Sequence, residues 1–122
     1  MPRSVWGSSN RVLTNLRKNT EPRAFGCDRE KVFNAVFEMT RPYGKKGLDS
    51  DKYVLFSMNR EKGYMILMNV PGAVDTTEVG VFFDSAGAGQ TRVEVTSLSS
   101  RAKRTVEEAV FARIGSACSP VP

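Results

Sequence analysis

Between Lys52 and Ser97 apolar and polar side chains alternate with the period of two that extended strands impose, and on either side apolar residues recur at the three-to-four spacing of a helix face. The first helical stretch opens at Asp28, whose carboxylate can accept from the free amides of a first turn, and carries Val32, Val36 and Met39 with Phe33 and Phe37 beside them. It is expected to stop by Thr40 or Arg41, because Pro42 pushes its predecessor out of helical geometry and donates nothing to the ladder. The second helix begins at Ser99 or Ser100, buries Ala102, Val106, Ala109, Val110 and Ile114, and ends at Gly115 with Arg113 in its last turn. Between them lie two hairpins. Lys52 to Asn59 and Gly63 to Val70 are joined by Arg60, Glu61 and Lys62; Thr76 to Asp84 and Thr91 to Ser97 are joined by Ser85 to Gln90, where Gly87 and Gly89 allow positive φ. Pro71-Gly72-Ala73 separates the two pairs. The expected fold class is α+β, an antiparallel sheet of four to five strands with two helices packed on one face. The fifth strand would come from Arg11 to Arg17 or from Arg23 to Gly26.

The hairpins differ in how they distribute apolar side chains. In the second, Val79, Val81, Phe83, Val93 and Val95 share one face, while Glu78, Asp84, Arg92, Glu94 and Thr96 take the other with only Phe82 among them. In the first, Val54, Phe56 and Met58 oppose Tyr53 and Leu55, and Tyr64, Ile66 and Met68 oppose Met65 and Leu67, so both faces are apolar. Something must cover the second face: the N-terminal arm with Trp6, Leu13 and Leu16, a second copy of the chain in a homodimer, or a protein partner or apolar ligand. Tyr53, Leu55, Met65, Leu67 and Phe82 are the expected partner-binding face.

A length of 122 residues, 40% of them hydrophobic, suits one domain. The reading assigns 1–23 to a basic arm or tether, 24–115 to the domain and 116–122 to a tail. No apolar run is long enough to span a membrane as a helix, and Met1 to Gly26 lacks the apolar core of a signal peptide. The net charge of +5 is concentrated: residues 1–26 hold five basic residues against Glu21, a net of +4, leaving +1 for residues 27–122. Arg11, Arg17 and Lys18, with Lys45 and Lys46 in the loop after Pro42, are the candidate contacts to an anionic surface, as in a peripheral membrane tether. Nucleic-acid binding is disfavoured by the near-neutral charge of residues 27–122.

Catalytic signatures are missing. The chain has no histidine, which removes the commonest general base and the usual partner of a nucleophile, and no Cys-x-x-Cys pair for zinc. Asp49 and Asp51 flank a strand start, and Glu107 and Glu108 are adjacent on a helix, so neither pair converges. Ser85 to Arg92 lacks the lysine of a phosphate loop and joins two strands. No enzyme, metal or cofactor is expected. The two cysteines would be reduced thiols in a cytosol and one bridge in an exported protein. Antiparallel helices would bring Cys27 and Cys118 to the same end of the fold, and closing a loop of roughly 90 residues stabilises by about 4 kcal/mol in the chain-entropy model.

The capped helix with Val32, Ala35 and Val36, the lysine- and glycine-bearing turn, the paired strands Tyr53 to Met58 and Gly63 to Met68, and the hairpin ending Thr91-Arg-Val-Glu-Val95 before a final helix together form a pattern over residues 24–115. It resembles the small α+β domains of bacterial envelope lipoproteins, including those of the outer-membrane assembly machinery's accessory lipoprotein. The resemblance implies a non-catalytic, tethered binding or scaffolding module facing the periplasm. The competing expectation is a small, basic, cytosolic nucleic-acid-associated protein.

Overall fold

The structure is a computed structural model that describes residues 11–42, 52–74 and 76–121. The regular elements are β1 (Arg23–Phe25), α1 (Arg29–Phe37), β2 (Thr40–Pro42), β3 (Tyr53–Asn59), β4 (Tyr64–Met68), β5 (Val79–Gly87), β6 (Gln90–Ser97), α2 (Ser100–Ala117) and β7 (Pro120–Val121). Residues 11–15 are helical and continue into a 3₁₀ turn, Leu16–Asn19. The strands form one seven-stranded sheet in the order β2-β3-β4-β5-β6-β1-β7. Every neighbouring pair is antiparallel except β2 with β3, which is parallel.

The α+β class and the two central hairpins match the expectation, but the sheet is mixed and wider than four or five strands. The additions are short edge strands. α1 ends at Phe37, within the limit expected from Pro42: the Thr40 hydroxyl donates to the Phe37 carbonyl at 2.7 Å, and the chain turns into β2, whose Thr40 pairs with Tyr53. Pro42 is tolerated there because β2 is the sheet's edge. At the other end α2 runs through Gly115 to Ala117, with the Cys118 amide still donating to the Ile114 carbonyl at 2.8 Å. A glycine on an exposed helical turn costs only about 1 kcal/mol, too little to end a helix whose inner face is fully packed. The folded unit therefore reaches beyond 24–115 on both sides, from residue 11 to β7.

Both helices lie on one face of the sheet. Val32, Phe33 and Val36 of α1 and Ala102, Val106, Val110 and Ile114 of α2 pack with Val79, Val81, Phe83, Val93 and Val95, all essentially inaccessible to solvent. Phe33 and Phe83 meet at 5.1 Å between ring centres. Asp28 caps α1 by accepting from the Lys31 amide at 2.9 Å, and Ser99 caps α2 by accepting from the Ala102 amide at 3.1 Å. Arg60, in the turn after β3, lies over the Phe33 ring at 4.5 Å and donates to Asn34 Oδ1 at 2.8 Å, fastening that turn to α1.

A second, smaller cluster occupies the opposite face: Leu13, Ile66 and Phe82, with Leu16, Phe56 and Tyr64 packed against it. The helical segment 11–19 thus lies on the sheet as a strap. Of the covers expected for this face, the structure shows the arm, through Leu13 and Leu16; Trp6 lies outside the described residues.

Candidate functional site

The expected partner-binding face is not one surface. Met65 pairs with Val81 and Leu67 with Val79, which places both on the helix side, where they are fully buried; Tyr53 joins the same core and Leu55 packs against it. Burial pushes the Tyr53 phenol pKa above its ordinary value. Phe82 pairs with Tyr64 and sits on the strap side. The expectation phased the first hairpin's faces oppositely to the second's, and a register fixed by burial overrules that choice. A β-bulge between Leu55 and Ser57 adds to the difficulty: it breaks strict alternation in β3 and returns Met58 to the Met65 side, where Met58 is 40% exposed.

What the strap side presents is built around two residues. Gly80, in the middle of β5, leaves a notch: a Cβ there would lie 3.3 Å from Leu13 Cβ and 3.0 Å from the Thr96 hydroxyl. Arg17 lies over the Phe82 ring, 4.4 Å from its centre, and its Nε donates to Glu94 Oε1 at 2.6 Å while Nη2 pairs with both Asp84 and Glu94. The Thr20 hydroxyl also reaches Glu94, at 3.1 Å. Partial burial works against the Arg17 charge, but the hydrogen bonds to Glu94 and Asp84 outweigh it and raise its pKa above the ordinary guanidinium value. Arg17 is therefore committed inside the molecule rather than offered to an anionic surface. Arg11 and Lys18 are exposed on the strap, and Lys45 and Lys46 lie outside the described residues, as do Asp49 and Asp51.

Where the strap begins, it borders a cleft of about 510 Å³ lined by Val12, Leu13, Thr76, Thr77, Glu78, Ser97, Leu98 and Ser99. The cleft is held by hydrogen bonds across its floor. The Ser97 hydroxyl donates to the Glu78 carbonyl at 2.8 Å and accepts from the Ser99 amide at 3.1 Å, joining the start of β5 to the cap of α2. Leu98 is 79% exposed at the rim, and Val74, two residues before the lining begins, is 72% exposed. The walls combine branched apolar groups with hydroxyls and the Glu78 carboxyl. A partner's apolar side chain could be covered here while its backbone is hydrogen-bonded. None of these residues was singled out from the sequence as a site. The one signal available was Leu98 itself, a leucine between polar serines just ahead of a helix cap.

The opposite end of α2 carries the disulfide between Cys27 and Cys118, with Cα atoms 5.8 Å apart across 91 residues of sequence. Around it the Gly26 amide donates to the Ser119 carbonyl at 2.8 Å and the Thr91 hydroxyl to the Cys27 carbonyl at 2.8 Å. Among the described residues no group of three or more His, Cys, Asp or Glu side chains is arranged to hold a metal, and no helix is long and apolar enough to cross a membrane. No family model, curated protein or solved structure matches this chain.

Proposed function

We propose that the protein is a non-catalytic binding module of a bacterial cell envelope, working on the periplasmic side, and that it takes apolar side chains of a protein partner into the cleft beside the strap. The observation that carries this reading is the pairing of the 510 Å³ cleft with an almost fully exposed Leu98 at its rim. Covering a leucine stabilises a complex by about 1.5–3 kcal/mol, whereas leaving it in water gains nothing. The disulfide supports the compartment, since such bridges persist where thiols are oxidised. The outer-membrane lipoprotein likeness of residues 24–115 supports the same placement.

A photo-reactive side chain placed at Leu98 in cells is expected to form a protein adduct, while the same group at the exposed Lys62, in the turn between β3 and β4, forms none. Equal labelling at both positions, or none at Leu98, would overturn the cleft as the binding site. Two free thiols in protein recovered from its native compartment would overturn the exported reading.

A further inference from the structure

The cleft ends against Leu13, and behind that side chain lies a polar group with nothing to bond. Thr96 of β6 is buried to 1% exposure, and among the described residues its hydroxyl has no hydrogen-bond partner. It stands beside Gly80, its register partner in β5, where the missing side chain leaves the notch on the strap side. The point a Cβ of Gly80 would occupy is 3.0 Å from the Thr96 hydroxyl and 3.3 Å from Leu13 Cβ, so Leu13, itself a wall of the cleft, covers the hydroxyl. From these features we infer that a slot continues the cleft beneath Leu13 and takes the main chain of an extended peptide segment of the protein partner. One peptide group of that segment bonds the Thr96 hydroxyl over Gly80 while its apolar side chain fills the cleft. The inference deepens the cleft reading and rests on it.

The chemistry of the slot names its occupant. A buried hydroxyl without a partner costs stability, so a ligand that bonds it recovers what the free fold gives up. A hydroxyl both donates and accepts, which suits the carbonyl or the amide of a peptide group equally. Gly80 supplies the space, because a strand interior without a side chain lets another main chain come close to the sheet face. The side chains around the notch, Ile66 and Phe82 within the sheet and Val12 and Leu98 along the cleft, are apolar. A purely apolar ligand would leave the hydroxyl unpaired, and a purely polar one would waste the walls; a peptide carrying an apolar side chain satisfies both. The strap is also divided in the way a lid requires. Leu13 is the one buried side chain of residues 11–15, whereas the next turn is pinned by Leu16 against the Ile66 and Phe82 cluster and by Arg17 on Asp84 and Glu94. The helical winding gives way to 3₁₀ geometry at Leu16, where the first turn can swing aside while the second keeps its seat.

The probe for this slot is N-acetyl-leucine-methylamide, which carries one apolar side chain between two peptide groups, titrated to millimolar concentration into the full chain and followed by backbone amide NMR shifts. In Leu13→Ala protein, whose lid is shortened, the probe is expected to move the Gly80 and Thr96 amides saturably, and adding Thr96→Val should weaken it about tenfold through loss of the hydrogen bond. Shifts confined to Thr77, Leu98 and Ser99, or the same affinity with valine at position 96, would overturn the slot and leave the cleft standing. No saturable shift at all overturns the slot as well, and the photo-adduct at Leu98 then judges the cleft separately. Should Leu13→Ala fail to fold, the unaltered chain decides by the same titration with and without Thr96→Val. A second measurement needs no probe. Thr96→Val alone is expected to raise the urea midpoint of unfolding, since it removes an unpaired hydroxyl and keeps the branched shape; a lowered midpoint would show the hydroxyl already satisfied and overturn the proposal.

Discussion

A Cβ at position 80 would approach the Phe82 ring edge to 2.9 Å, the Thr96 hydroxyl to 3.0 Å and the strap's Leu13 to 3.3 Å, so no side chain fits while Leu13 keeps its place. Ordinarily alanine in a strand outdoes glycine by about 0.5–1 kcal/mol. Here Gly80→Ala should reverse that sign and cost about 1–3 kcal/mol, the usual penalty for overpacking. Urea unfolding reads the loss, and hydrogen exchange should show the amides of residues 11–19 losing protection while those of α1 and α2 keep theirs. An alanine that stabilises would mean that the seat is slack. The sequence does carry this signal, because a lone glycine between Val79 and Val81 marks a close approach to backbone. What approaches it could not be told from the strands alone. Arg17 shows the same limit: its neighbours Asp84 and Glu94 lie 67 and 77 residues away, and nothing local distinguishes it from the exposed Lys18.

At the scale of elements, local chemistry was legible where it repeats and illegible where it does not. α1, α2 and the two hairpins each have enough residues to show a period and a cap or turn. β2 and β7, of three and two residues, are too short for one and exist because β3 and β1 offer open edges. The bulge in β3 is likewise a matter of pairing rather than composition. Two serines competed in the sequence for the cap of α2, and the structure separates them: the Ser99 hydroxyl accepts from the Ala102 amide, while Ser100 is the exposed first residue of the helix. Ser99→Ala should therefore cost about 1 kcal/mol and Ser100→Ala a few tenths at most. Thermal or urea unfolding of the two variants side by side checks the difference. The Ser99 amide that donates to Ser97 is kept in Ser99→Ala, so the loss should be confined to the cap and leave the Leu98 rim in place.

Across the whole molecule, the two ends of the fold are built for different work. At one end the disulfide joins the start of α1 to the end of α2, and β7 closes over β1 with the Gly26 amide bonded to Ser119. At the other, 18 helical residues away, lie the cap of α2, the start of the strap and the cleft. The shared position of Cys27 and Cys118 followed from antiparallel helices alone. The cleft did not, because its walls come from three segments that only the assembled sheet brings together. This arrangement makes reduction a probe of the stapled end. Breaking the bridge frees a 91-residue loop and should lower unfolding stability by about 4 kcal/mol on chain-entropy grounds, less if the unfolded chain retains structure. The loss should be uneven in place as well as large in sum. With the tether gone, β7 has only its pairing to β1, so the Gly26 amide should exchange first, while Ala102 and the amides around the cleft stay protected until global unfolding. Hydrogen exchange on Cys27→Ser, Cys118→Ser protein tests this ordering. Simultaneous loss of protection at Gly26 and Ala102 would show that the bridge supports the entire fold and not its own end alone.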